Sequence, residues 1–310
     1  MILCCGEALI DMLPAKTVDG KDAFAPHCGG SVFNTAIALG RLGVETGLMT
    51  GLSSDMWGML LRAELDNSGV DVKMAVPSDR PTTLAFVQFR DGQAQYSFHD
   101  DNSASRMIET ADHAEIDEGV SALFLGGISL CNPPFNDTLT ALAEAQAGRR
   151  IVMLDPNIRP GFIADADEHR ARLSRLISSS DIVKVSDEDL DWIYAALPDT
   201  NARIRKLLSD GPALLLLTKG GEGATAYLTD GRRIEIHAKP VDVVDTVGAG
   251  DTFNAGFLAK SSEMGLLNRS ALTLAPDDAI ETCLTYAAKV AAVTVSRAGA
   301  NPPWARELTN

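Results

Sequence analysis

Positive charge is what this 310-residue sequence is shortest of: 27 Lys and Arg stand against 42 Asp and Glu, a net charge of −15. A nucleic-acid binder needs a basic footprint to neutralise phosphates, and a polybasic membrane-surface protein needs one for anionic lipid. Both classes are therefore disfavoured. Overall acidity does not exclude a small anionic ligand, because a local turn can hold phosphate on backbone N–H groups. Cysteine is sparse and unpatterned. Cys4, Cys5, Cys28, Cys131 and Cys283 are odd in number and contain no C-x-x-C pair. Zinc and dithiol sites are not expected; free thiols in a reducing cytoplasm are. Long apolar runs are missing too, since no stretch approaches the ~20 residues that span a bilayer. Met1 to Pro14 lacks a basic region and is interrupted by Glu7 and Asp11, so neither signal peptide nor anchor is read there. No fixed-period repeat or low-complexity linker occurs. A Walker loop, G-x-x-x-x-G-K-[ST], is absent, and Gly6 is not followed by the glycines of a dinucleotide fingerprint. The second absence sets aside an NAD-dependent oxidoreductase.

What is present is an ordinary globular interior, with 45% hydrophobic residues and a length that fits one large α/β domain or two smaller ones. Ile2 to Ile10 reads as one buried strand, Ser31 to Leu42 as a helix after Gly29-Gly30, Val44 to Leu52 as a strand, and Met56 to Leu65 as a helix stopped at Asn67-Ser68-Gly69. Thr82 to Phe98 alternates in the manner of a hairpin about Asp91-Gly92, and Met12 to Ala25 is a candidate to pair with it. Strands at Ala122–Leu125, Ile151–Leu154, Ile182–Val185 and Ala213–Leu217 alternate with helices at Pro134–Ala147, Asp165–Ser178 and Asp187–Leu197. Gly223–Leu228 and Arg233–Ile236 read as a second small hairpin, and Asp251–Ser262 and Asp277–Val295 as late helices. Apolar strands separated by helices imply a parallel sheet covered on both faces. The expected architecture is a single domain over residues 1–310, a three-layer α/β/α sandwich with a mostly parallel sheet. A small β lid would be built from about residues 12–26 and 82–99.

The chemistry concentrates in the run Asp245-Thr246-Val247-Gly248-Ala249-Gly250-Asp251-Thr252-Phe253-Asn254-Ala255-Gly256-Phe257. Small residues before a helix let successive N–H groups converge on one point, where the helix dipole adds positive potential. Such an anion hole suits charge developing on a transferring phosphoryl group, and Asp251 beside it is placed to act as general base on a hydroxyl.

This run, together with Gly29-Gly30-Ser31-Val32-Phe33-Asn34-Thr35-Ala36, resembles the two signatures of the ribokinase-like, or PfkB-type, sugar kinases. The likeness extends over nearly the whole chain. It implies Asp251 as the catalytic base and the N–H groups of Gly248, Ala249 and Gly250 as the anion hole. It also implies Asp11, Gly29, Gly30 and Asn34 as sugar contacts. Thr218-Lys219-Gly220-Gly221-Glu222-Gly223 is similar to the family's nucleotide-phosphate segment, through Thr218, Gly220 and Gly223. Lys184-Val185-Ser186-Asp187-Glu188-Asp189 stands where the family has Asn-x-x-Glu, associated with phosphate and Mg²⁺. Here Ser186 replaces Asn and Asp189 replaces Glu, so any of Asp187, Glu188 and Asp189 can be the one facing the metal. Asp245, with carbonyls of the Arg297–Asn301 turn, corresponds to a monovalent-cation site, for instance for K⁺.

Asp155-Pro156-Asn157-Ile158-Arg159-Pro160 resembles a segment of the fructokinase and 2-keto-3-deoxygluconate kinase branch, which implies Asn157 and Arg159 as substrate contacts. Phe98 to Ala104 also looks like that branch and adds Asn102, whereas His99 is read as a lid surface residue. A keto-acid substrate calls for extra positive charge, which only Arg106 and Arg159 offer, so fructose ranks first. 2-Keto-3-deoxygluconate follows, then ribose, other sugars and nucleosides. The implied reaction is transfer from MgATP to a sugar's primary hydroxyl. A non-catalytic sugar- or nucleotide-binding regulator is the competing class. The family often pairs through its lid, which implies a homodimer, with no nucleic-acid or membrane partner.

Overall fold

The computed structural model describes residues 1–90, 93–112 and 115–308. The larger of its sheets has nine strands. In spatial order they are Arg233–Ile236, Ala224–Leu228, Leu214–Thr218, Ile182–Ser186, Ile151–Asp155, Ala122–Gly126, Ile2–Cys5, Thr46–Met49 and Val70–Asp71. From Leu214–Thr218 to Val70–Asp71 every pairing is parallel. These strands are apolar along their length because both faces are covered: Ile151–Asp155 and Ala122–Gly126 are buried at every position. Alternate side chains divide between two cores. One packs Cys4, Phe124, Met153 and Leu216 under the helices Ser31–Arg41, Ala249–Glu263 and Asp277–Val295. The other packs Leu3, Leu125, Val152 and Leu215 under Phe135–Gln146, Ala166–Ser178 and Thr200–Ser209. The fold is the expected α/β/α sandwich, a mostly parallel sheet between two layers of helices. Among the described residues no helix is long and apolar enough to cross a membrane.

A second sheet of four strands runs in the order Asp22–Gly29, Leu9–Lys16, Thr83–Arg90, Gln93–His99. Both of its hairpins are antiparallel, yet Leu9–Lys16 meets Thr83–Arg90 in parallel. Met12 to Ala25 thus forms a hairpin of its own before joining the other. The Asp91-Gly92 turn lies outside the described residues.

Three boundaries differ from the sequence reading. The run Ile2–Ile10 is two strands in different sheets, Ile2–Cys5 and Leu9–Lys16. Burial is continuous across the break, so hydropathy cannot see it. The chain parts at Gly6, where a Cβ would lie 2.5 Å from Val32 Cγ2. Val44–Leu52 likewise divides into Thr46–Met49 and Gly51–Ser53, the latter pairing with Val76–Ser78. The second small hairpin, Ala224–Leu228 with Arg233–Ile236, is present and extends the large sheet antiparallel to Leu214–Thr218. The helix at Asp187 ends at Ile193, and a separate helix Thr200–Ser209 follows, capped by Asp199 on Ala202 N.

Candidate active site

Chain order places the site. From Ile2–Cys5 the chain proceeds outward to Thr46–Met49, and it later returns to Ala122–Gly126 on the other side of Ile2–Cys5. Ligands of open parallel sheets bind at such a reversal, beyond the carboxyl ends of the strands. A cavity of about 280 Å³ opens there. Glu7 follows one of those strands and Gly127 the other, and Leu9, Asp11 and Phe98 enter from the four-stranded sheet. Asn157, Arg159 and Lys184 line a second side, and Gly30, Ser31, Asn34 and Thr246 to Asp251 close it.

Two helices begin at this cavity. Gly248 caps Ala249–Glu263 in the left-handed region, at φ 77°, a conformation that favours glycine. A Cβ on Gly248 would also stand 2.7 Å from Ala300 Cβ. Helix geometry leaves the N–H groups of Gly250 and Asp251 without an intrahelical carbonyl, while Ala249 N–H leans back to Thr246 O at 3.3 Å. Asp251, 7% exposed, accepts from Ser31 Oγ at 2.9 Å and from Asn34 Nδ2 at 2.9 Å. Both donors sit in the first turn of Ser31–Arg41. Burial pushes the Asp251 carboxyl up to about 6, against the lowering effect of those two hydrogen bonds. Asp11 also rises to about 6, first through burial and then through the charge of Asp251.

Beside the turn lies a buried cation. Lys184 Nζ pairs with Asp155 Oδ2 at 3.0 Å, and the same oxygen accepts from Asn254 Nδ2 at 2.7 Å. Burial acts to lower the Lys184 pKa, Asp155 and Asp189 act to raise it, and the balance is upward. A Cβ on Gly250 would come within 3.1 Å of this ammonium, so the glycine keeps charge and turn adjacent.

A second cavity, of about 400 Å³, lies on the far side of the same turn. Thr218, Gly220, Gly221 and Gly223 form one wall, and Ala288, Ala291, Ala292 and Val295 of the long Asp277–Val295 helix form another. At Gly223, φ 116°, a Cβ would meet Ile236 O at 2.1 Å. Thr246, Ala249 and Gly250 belong to both cavities. A ligand in each would meet at the Gly248–Gly250 turn, within reach of Asp251.

Other residues singled out in the sequence are held differently. Gly29 packs against Asp11, where a Cβ would stand 2.1 Å from Oδ2. Asn102 is exposed, outside the cavity, and accepts from Arg80. His99 is an exposed ring edge-on to Phe86, and Arg106 pairs with Asp101 at 2.7 Å. Ser186 caps its helix in a capping box with Asp189. Asp189 is buried, and its oxygens accept from Ile158 N at 2.9 Å and Ser186 N at 3.2 Å, while Asp187 and Glu188 are exposed. Asp245 accepts from Val247 N at 3.0 Å and from Gly299 N at 2.9 Å, which ties the 297–301 turn to Gly248. The sequence reading missed Glu7, Ser31, Asp155 and Asn254. Asn254 was detectable, since it follows Asp251 by three residues and so shares its helix face.

A parallel sheet with a glycine turn between two cavities and a buried carboxylate beside it is the arrangement of a phosphotransferase acting on a small alcohol. The chain belongs to the pfkB family of carbohydrate kinases, whose model matches residues 1–306. Similar proteins include a fructokinase of Rhizobium leguminosarum bv. trifolii, 49% identical over 269 residues, covering 87% of this chain and 82% of that protein. A fructokinase of Klebsiella pneumoniae is 33% identical over 90% of each. The crystal structure of a fructokinase with bound ATP from Xylella fastidiosa superposes with a TM-score of 0.91 at 30% identity, over 99% of this chain and 97% of that one.

Proposed function

We propose that this chain transfers the γ-phosphoryl group of ATP to the C6 hydroxyl of fructose, giving fructose 6-phosphate. The observation that carries the reading is the position of Asp251, in the sugar-sized cavity at the turn shared with the second one. Asp251 accepts the hydroxyl proton as the sugar oxygen bonds to phosphorus and the bond to the ADP oxygen breaks. Converging N–H groups at Gly248–Gly250 and the Lys184 ammonium face the charge that develops. The four-stranded sheet acts as a lid that excludes water. Among the described residues no group of three or more His, Cys, Asp or Glu is arranged to hold a metal. Mg²⁺ would come with the nucleotide's phosphates and keep most of its waters, with the exposed Asp187 or Glu188 as the carboxylate to hold it, since both oxygens of Asp189 are taken by Ile158 N and Ser186 N. When bound, it neutralises phosphate charge.

Fructose is favoured over 2-keto-3-deoxygluconate by the sign of the cavity. Glu7, Asp11 and Asp251 line it, Lys184 is already paired with Asp155, and Arg159 is the other cation. A substrate carboxylate would meet like charges there. A coupled ADP-release assay with fructose, 2-keto-3-deoxygluconate, ribose and adenosine tests this. Fructose should lead in kcat/KM by about tenfold or more, which is about 1.4 kcal/mol of transition-state preference. A faster keto-acid would reverse the assignment, and no ADP with any sugar would favour the non-catalytic binder.

The protein would work in the cytoplasm, where its five cysteines remain free. It would pair through the lid, whose Phe24 is 42% exposed beside Phe86 and whose outer strand is an open edge. Light scattering should return a dimer mass; a monomer at micromolar concentration would contradict the pairing.

A further inference from the structure

Glu7 is buried at the reversal point of the large sheet, 3% exposed, and grips a helix from below. Its Oε1 accepts from Ser31 N at 2.8 Å and its own carbonyl from Phe33 N at 3.2 Å, both in the first turn of Ser31–Arg41. Its Oε2 accepts from Ser129 N at 3.2 Å, in the loop after Ala122–Gly126. Ser31 in turn donates its hydroxyl to Asp251, so one residue links the two carboxylates. The backbone around Glu7 is stripped of side chains to allow this. A Cβ on Gly127, φ 68°, would stand 2.1 Å from Oε1, and one on Gly30, φ 105°, would stand 2.9 Å from the Glu7 carbonyl oxygen.

We infer that Glu7 is a positioning residue for phosphoryl transfer. Its ionised carboxylate clamps the first turn of Ser31–Arg41 to the 127–129 loop and so fixes the Ser31 hydroxyl and Asn34 amide on the base Asp251. The inference rests on the kinase reading. The task needs a carboxylate because Ser31 N–H, Ser129 N–H and the Ser129 hydroxyl all face it as donors, and the two fixed N–H groups each need an acceptor oxygen. Glutamine offers one oxygen and an NH₂ group, which would set a donor against a donor. A protonated Glu7 has the same defect.

The charged groups sharing the cavity with Glu7 are Asp11, Asp251, Arg159 and Lys184, the last paired with Asp155; behind it lie Asp100 and Arg106, with Arg106 paired to Asp101, and the neutral thiol of Cys131. Burial raises the Glu7 carboxyl to about 7, against the lowering effect of its hydrogen bonds. Asp251 titrates at about 6. Both groups must be ionised for turnover, so kcat at saturating fructose should fall with two protonations as pH drops through 7 and 6; Asp11, also raised to about 6, is a sugar contact and acts on fructose binding.

The test compares wild type, Glu7→Gln and Asp251→Asn with MgATP and fructose across about pH 5 to 9. In wild type the acid limb of log kcat, read at saturating fructose, should approach a slope of two. In Glu7→Gln, kcat should fall about tenfold or more, with the KM for ATP nearly unchanged. The limb should drop to unit slope and move to lower pH, because Asp251 has lost a like charge. A merely structural residue would alter stability and leave the slope alone. Glu7→Asp keeps two acceptors and should keep the slope of two. Should Glu7→Gln fail to fold, the wild-type and Glu7→Asp limbs decide. Unit slope in wild type, or Glu7→Gln activity within about threefold of wild type, overturns the inference. Near-normal turnover in Asp251→Asn would instead sink the kinase mechanism, whatever Glu7 does.

Discussion

Asp251→Asn should lower kcat by ~10³-fold while leaving the dissociation constants of fructose and ATP within about threefold of wild type. The substitution is isosteric. Ser31 and Asn34 can reorient around the new amide, since a hydroxyl and a carboxamide each both donate and accept. Neither cavity changes shape, and the N–H groups of the Gly248–Gly250 turn belong to the backbone. What is lost is the capacity to take a proton from the sugar hydroxyl. Calorimetric titration with each ligand, alongside coupled ADP release, separates these effects. A variant that binds neither ligand would mean that Asp251 holds the fold or the substrate instead of the proton.

The other large effect concerns stability. Lys184→Met should destabilise the protein by about 3–5 kcal/mol, because it leaves Asp155 as a buried and uncompensated charge. Asp155 is 0% exposed and Lys184 5% exposed, so water screens the pair little. For a chain of this size that corresponds to a fall in Tm of about 5–8 °C. Adding Asp155→Asn to the Met variant should recover part of the loss, since a neutral amide needs no counter-charge. Turnover should not recover with it, because the ammonium beside Gly250 is still absent. Thermal melts of the single and double variants measure the coupling. A Met variant melting within about 2 °C of wild type would show that the pair contributes little, as exposed ion pairs do.

Much of the site was legible in the sequence because its backbone requirements are carried by particular residues. Gly248 must adopt φ 77°, and Gly223 must admit Ile236 O, so glycines mark both turns. Asp251 stood out by its place in the first turn after such glycines. Apolar blocks such as Ile151–Asp155 and Leu214–Thr218 marked strands covered on both faces. Long-range pairings were hidden. Glu7 lies 24 residues from Ser31 and 122 from Ser129 in sequence, and its partners are main-chain N–H groups that any residue type supplies. Asp155 and Lys184 meet across neighbouring strands, which periodicity alone does not place side by side. Asn102 differs in the opposite direction: its segment resembles a substrate contact, and in the structure its side chain accepts from Arg80 outside the cavity. The broken run Ile2–Ile10 shows the limit of hydropathy, since continuous burial conceals a change of sheet.

The central claim is that Asp251 removes a proton during transfer across the Gly248–Gly250 turn. The most direct measurement is a rapid-quench single turnover, with enzyme in excess of labelled ATP and fructose saturating. Wild type should convert the label to sugar phosphate in one fast phase, and Asp251→Asn should bind the label fully yet convert it ~10³-fold more slowly. Equal rates of conversion in the two proteins would contradict the account.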